Sequence, residues 1–193
     1  KVGREEEAVS QKAPEPTPGG AADVAATVKL TKSIANHSVQ EVVLGNGLNV
    51  LYLDDSSLPY VSLALMVKAG SSYDPDGLEG LTKFVAELVD KGTKKKKATE
   101  VAEAFAGIGS DFNASVANDY TILSAGSLSA DSQRLVDEFA DIIIQPTMTD
   151  DEVTRVRQQL LAEIVARRDQ PEVIADQSFM QLLYGRHPYS KST

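Results

Sequence analysis

The chain has 193 residues, enough for one domain with a sizeable core and too few for two ordinary ones, and its 42% hydrophobic and 24% charged residues are ordinary for a soluble globular protein. Residues 1–38 hold five basic and five acidic residues, so the net charge of -9 sits in residues 39–193, and that acidic body argues against nucleic acid as a partner. The absence of cysteine excludes thiolate and disulfide chemistry, the only histidines are His37 and His187, and no apolar run approaches the roughly 18 residues needed to span a bilayer.

Residues 1–30 are rich in Ala, Pro, Gly and Glu and lack aromatics. Such a segment buries too little to offset the entropy of ordering it, so it reads as a flexible tether. The folded body begins near Val39, which puts the end of the tether at residue 38. The chain opens at Lys1, and a signal peptide or another upstream segment is expected before it. Residues 39–44 and 48–53 are strand-like runs around Gly45-Asn46-Gly47, whose glycines supply positive φ, so they predict a hairpin. A third run, Tyr60 to Lys68, stops at Ala69-Gly70-Ser71-Ser72, and three antiparallel strands are expected before the helices.

Residues 78–90 predict the first helix, with Leu78, Leu81, Val85, Leu88 and Val89 on one stripe and Phe84 at its edge. The basic run Lys94–Lys97 reads as a solvated loop. Thr99 is expected to cap a second helix that runs from Glu100 to Ala106 and ends at Gly107-Ile108-Gly109. Two strands follow, about 110–117 and 119–127, turning near Asn118-Asp119. A helix over Asp131–Ile144 ends before Pro146. One over Asp150–Arg168 opens on three acids, as the helix dipole favours, and a last runs from about Glu172 to Tyr184. Strands and helices come in blocks, so the fold class is α+β, a mostly antiparallel sheet with helices packed on one face.

Several motifs arrive in order: Leu44-Gly45-Asn46-Gly47-Leu48-Asn49-Val50, Pro59, Gly70-Ser71, Gly77-Leu78-Glu79-Gly80-Leu81, Lys91-Gly92-Thr93, Asn113-Ala114, Asp119-Tyr120-Thr121, Pro146, Glu163-Ile164, Asp169-Gln170-Pro171 and His187-Pro188-Tyr189. No single piece is specific, but the series resembles the pitrilysin, insulinase and mitochondrial processing peptidase family over about residues 39–193, in its N-terminal half. Active members of that family carry an inverted zinc motif, H-x-x-E-H, on the first helix, with a third ligand, a Glu, from a later helix. The resemblance aligns Lys83-Phe84-Val85-Ala86-Glu87 with that motif. The first His becomes Lys83, the general base becomes Ala86, and the second His becomes Glu87, while Glu163 keeps the distal carboxylate.

Zinc hydrolysis needs about three protein ligands and an open position for water. An ammonium repels a divalent metal, and alanine cannot take a proton from water. Read without the family, Lys83 and Glu87 form an ordinary solvated i,i+4 pair. Read with it, Lys83 stands in for the metal and bridges Glu87 and Glu163. Asn113 and Ala114 are the substrate-binding candidates, on a strand that in catalytic relatives receives extended peptide by strand addition. The alternative is that Asn113 closes a turn or satisfies a neighbouring backbone group.

The resemblance therefore implies a chain with no cofactor of its own, which pairs with a homologous active peptidase subunit for assembly or substrate handling, zinc being expected only in that partner. The family's second half is expected either as a separate chain or beyond a truncation, and extended peptides are a further possible partner. A structural core subunit of a larger, membrane-associated assembly is the competing reading, and a hydrolase with an unrecognised site is a third. The tether favours an exported, periplasmic bacterial location over a mitochondrial one.

Overall fold

Short runs of β-branched and aromatic residues form strands here and longer runs at helical spacing form helices, in a computed structural model that describes residues 27–34 and 37–191. The contacts divide the chain into two compact units, Lys1–Ser57 and Leu58–Thr193. The first unit holds an antiparallel sheet in the order β1 (Thr27–Ile34), β2 (His37–Val43), β3 (Asn49–Leu53). The predicted hairpin joins β2 to β3: Leu44 N donates to Leu48 O at 2.9 Å, Gly47 N donates to Leu44 O at 2.8 Å, and Gly47 takes a φ of +84°. β1 corrects the reading of residues 1–38 as tether, because Thr27–Ile34 is a strand. Its own composition is too polar to signal a core, but Val28 and Leu30 alternate with polar residues, and β2 offers an edge with which the backbone can pair. Residues 1–26 lie outside the described residues.

The second unit is built on β4 (Tyr60–Val67), β5 (Asn113–Val116) and β6 (Thr121–Leu128), in the order β4-β6-β5. The third predicted strand, β4, pairs with β6, from Tyr60 opposite Leu128 to Val67 opposite Thr121. Alternation turns Val61, Leu63, Leu65, Leu123 and Ala125 to one face, where α2 (Ala98–Ala106) and α3 (Ser132–Ile144) cover them with Val101, Phe105, Leu135, Phe139 and Ile142. Phe112 sits between two rings, 6.1 Å from Phe105 and 6.1 Å from Phe139. Each such buried side chain contributes about 1.5–3 kcal/mol relative to exposure.

α2 starts one residue before the expected Thr99 cap, with the Glu100 carboxylate accepting from Lys97 N at 2.7 Å. The lysine run before it is not a simple solvated loop. Lys95 Nζ lies 2.9 Å from Asp141 Oδ1, and Lys96 Nζ bonds both oxygens of Glu138, both acids belonging to α3. α4 (Asp150–Arg168) and α5 (Pro171–Tyr184) complete the unit. On α4, Val156 is buried, Val153 and Leu160 are half-buried and Ile164 is exposed; α5 buries no residue.

Candidate functional site

The site is organised by α1 (Leu81–Leu88). Gly77 (φ +82°) and Gly80 (φ +93°) turn the chain into the helix, in a region that residues with a Cβ rarely adopt. Asp74, only 8% exposed, fixes the first turn. Its Oδ2 accepts from Gly80 N at 2.8 Å, and its Oδ1 accepts from Thr82 N at 2.9 Å and from Thr82 Oγ1 at 2.5 Å. The expected stripe on this helix is corrected in part: Leu88 is buried and Val89 half-buried as expected, but Leu78, Leu81 and Val85 are exposed, and the other buried residue of the helix is Ala86. At about 100° per residue Ala86 and Leu88 point in nearly opposite directions. α1 is thus gripped on two sides, against β5 and α4. Leu81 and Val85 are left at one edge and Lys83 and Glu87 at the other.

Lys83 Nζ donates to Glu163 Oε1 across 2.9 Å, joining α1 to α4. Both side chains are partly screened from water, 29% and 44% exposed. Among the described residues Glu87 has no ion pair, so the contact with Lys83 that i,i+4 spacing favours does not form and the bridge has one carboxylate, not two. Ala86 is 8% exposed. Beside the bridge lies a cavity of about 350 Å³ between the start of α1, the second half of α4 and the first half of α5. Arg167 and Arg168 line it with Lys83, and sequence reasoning passed over both. The spacing of four residues between Glu163 and Arg167 was the available signal for the first of them.

A second cluster ties the ends of this region together. Ser71 N donates to Ala117 O at 3.0 Å and Ser72 N to Asn118 O at 2.8 Å, an approach so close that only a glycine fits at position 70. Ser72 Oγ donates to Asp119 Oδ1 at 3.2 Å, and the Tyr189 hydroxyl donates to Asp119 Oδ2. That donation to a carboxylate raises the Tyr189 pKa above the ordinary tyrosine value. His187 Nδ1 accepts from Tyr189 N at 3.2 Å, setting the turn over Pro188–Ser190. Lys191 reaches Asp76 and Glu79; its hydrogen bond to Asp76 raises its own pKa and lowers that of Asp76, and backbone donors with Lys191 lower that of Glu79. Three motifs far apart in the sequence, at Gly70-Ser71, Asp119-Tyr120 and His187-Pro188-Tyr189, therefore meet in one hydrogen-bonded knot.

Asn113 and Ala114 lie on β5, which pairs only with β6 among the described strands. Asn113 is opposite Ser124 and exposed, and Ala114 is opposite Leu123 with its side chain toward the core. The residues aligned with a metal site do not fit zinc. Among the described residues no three His, Asp or Glu side chains converge, and the one cross-helix contact is an ammonium on a carboxylate.

The sequence matches the family model described as Insulinase (Peptidase family M16) over residues 49–193. An uncharacterized zinc protease of Rickettsia felis is 32% identical over 148 residues, covering 77% of this chain and 36% of that protein. A solved peptidase M16 inactive domain from Pseudomonas fluorescens superposes with a TM-score of 0.76 at 30% identity, covering 80% of this chain and 38% of that one. Pitrilysin superposes with a TM-score of 0.75 at 27% identity, covering 89% of this chain and 19% of that one. The chain thus spans about a third of the length of the curated relatives it matches.

Proposed function

The chain belongs to the insulinase family of peptidases, family M16, and from that premise we propose that it is a non-catalytic, zinc-peptidase-like module that pairs with a homologous, zinc-competent peptidase chain for assembly or substrate handling. The observation that carries this reading is the 2.9 Å contact of Lys83 with Glu163, because a cation occupies the place where the family's alignment puts a metal ligand. With Ala86 at the position of the base, no side chain there can deprotonate water, and hydrolysis has neither its Lewis acid nor its proton acceptor. The relatives named zinc proteases support the ancestry, and the Pseudomonas neighbour described as an inactive domain supports the loss of activity in a chain of this fold.

Pairing is supported by α5. Phe179, Leu182 and Leu183, at helical spacing, are 60%, 88% and 58% exposed, an apolar face of the kind that marks an interaction surface. β5 pairs only with β6 among the described strands, which supports a role in holding extended peptide, since strand addition needs unpaired backbone groups and no metal. The zinc of the working assembly then belongs to the partner.

The test is co-purification of the protein from its native host, with metal analysis of the isolated chain. Recovery of a homologue with an intact H-x-x-E-H motif, and a chain without zinc, is the expected result. Stoichiometric zinc on the isolated chain, or peptide cleavage that a chelator abolishes, overturns it. Recovery of a membrane redox complex replaces pairing with a structural role.

A further inference from the structure

We infer that Asn46, at the tip of the β2–β3 hairpin, is a site of spontaneous deamidation, and that the hydrogen bond between Gly47 and Leu44 controls its rate. A backbone nitrogen attacks the side-chain carbonyl carbon of the asparagine before it when nothing on its own residue blocks the approach. Gly47 has no Cβ, holds a φ of +84°, and has open space where a Cβ would stand. Residues 45–49 are all exposed, so water reaches the tip.

The local geometry both prepares and restrains this attack. Leu48 N donates to Asn46 Oδ1 at 3.0 Å, which closes a small ring containing both Asn46 Cγ and Gly47 N. That bond folds the side chain back over the peptide group that attacks it and draws electron density from Cγ. Against this, Gly47 N donates to Leu44 O at 2.8 Å, so its proton is held until the turn opens. An exposed hairpin tip opens more readily than the strands behind it. The other asparagines among the described residues lack this combination. Asn49 precedes the β-branched Val50 and donates to Glu41 Oε1 at 2.6 Å. Asn113 precedes Ala114 within β5, and Asn118 precedes Asp119 while its Oδ1 accepts from Ser71 Oγ at 3.3 Å.

In the opened turn Gly47 N gives its proton to water or hydroxide and bonds to Asn46 Cγ. The Cγ–Nδ2 bond breaks, and Nδ2 takes up a proton from water and leaves as ammonia. Water then adds to either carbonyl of the cyclic imide. Cleavage of the new Cγ–N bond leaves aspartate. Cleavage of the original backbone C–N bond leaves isoaspartate, whose main chain runs through Cβ and Cγ. Isoaspartate lengthens a turn whose length fixes the register of β2 on β3, so the product loosens the hairpin.

The experiment ages the full chain at mildly alkaline pH, folded in buffer and unfolded in urea. Digestion and mass spectrometry then read the conversion of amide to acid at each asparagine. Asn46 is expected to convert before Asn36, Asn49, Asn113 and Asn118, and about fivefold faster in urea than in buffer, the factor that one average hydrogen bond gives. Labelling by an isoaspartyl methyltransferase is expected on the aged chain and not on Asn46→Ser, whose hydroxyl still accepts from Leu48 N but has no ammonia to lose. Conversion at Asn46 no earlier than at Asn113 overturns the site, as does labelling that persists in N46S. Equal rates in buffer and urea overturn the control by the Gly47–Leu44 bond.

Discussion

Lys83 and Glu163 meet at 2.9 Å although 80 positions separate them in the chain. A partly exposed pair of this kind is worth about 0–1 kcal/mol, so its importance is positional and not a matter of overall stability. It joins α1 to α4, as a bound metal does when its ligands come from two helices. The bridge also gives the half-exposed Glu163 a cationic partner from the facing helix.

On the proposed register, imidazoles at the two aligned positions of α1 should bind a metal. Lys83→His together with Glu87→His places two rings one helical turn apart beside Glu163, and the dialysed variant is expected to retain one zinc per chain by elemental analysis, about three ligands being sufficient. Adding Glu163→Gln should lose it again. No hydrolysis is expected from the zinc-loaded variant, because Ala86 still occupies the position of the base. A double variant that takes up no more zinc than the starting chain would show that the two helices are not in the family's register.

Asp74 should matter more to α1 than any residue on the helix surface. Asp74→Ala leaves Gly80 N and both donors of Thr82 without their acceptor in a buried place, and an unfolding free energy about 2–4 kcal/mol lower is expected. Hydrogen exchange at Thr82 and Lys83 should accelerate more than at α3. Uniform acceleration across both helices would mean that Asp74 supports the whole unit and not the entry to α1.

Two glycines that look alike in the sequence should behave differently. A Cβ at Gly70 would collide with the backbone carbonyls of Ala117 and Asn118, which cannot move without breaking the bonds to Ser71 and Ser72. Gly70→Ala is expected to cost about 3 kcal/mol. A Cβ at Gly126 would meet only the ring end of Tyr60, which is 54% exposed and free to swing away, so Gly126→Ala should change the denaturation midpoint little. Chemical denaturation of the two variants side by side decides it; equal losses would contradict the geometry.

Acid should weaken the attachment of the lysine run to α3. The hydrogen bond from Lys95 lowers the Asp141 pKa, so that contribution is full above the ordinary aspartate value, about pH 4, and is lost as pH falls through the lower folded value. Lys95 is shifted up by the same bond, and its contribution is lost only as pH rises through its raised value, beyond about 10.4. Lys95→Met is therefore expected to flatten the fall in stability below about pH 4 while leaving the slope near neutrality unchanged. An unaltered acid limb in K95M would show that Asp141 draws its shift from elsewhere.

The helices were largely legible because their signals are local. The acids that open α4, the basic pair that closes it and the proline that starts α5 mark those boundaries without any tertiary information. The pairing of β4 with β6 was not, because nothing in Tyr60–Val67 distinguishes a third hairpin strand from one that waits some sixty residues for its neighbour. β1 escaped for a related reason, its strand being completed by the edge of β2 and not by a core signature of its own. At the site, the family's alignment led to Lys83 and Glu163, but Asp74 could not be found. A carboxylate several residues before a helix is a common turn residue until the fold bends the chain so that it faces the helix's own first amides. The stripe expected on α1 held at Leu88 and Val89 and failed at Leu78, Leu81 and Val85, because the helix is held from two directions, whereas a single-stripe reading assumes one.

The bare flank of α5 has a practical consequence for anyone who handles the molecule. Environment-sensitive dyes respond to greasy surface in water, and in this chain on its own Leu182 with its neighbours presents such surface. A dye-reported melting curve would begin bright and show little rise, so that a folded sample would pass for a denatured one. Circular dichroism or calorimetry, which read backbone order and heat, would report the same sample correctly.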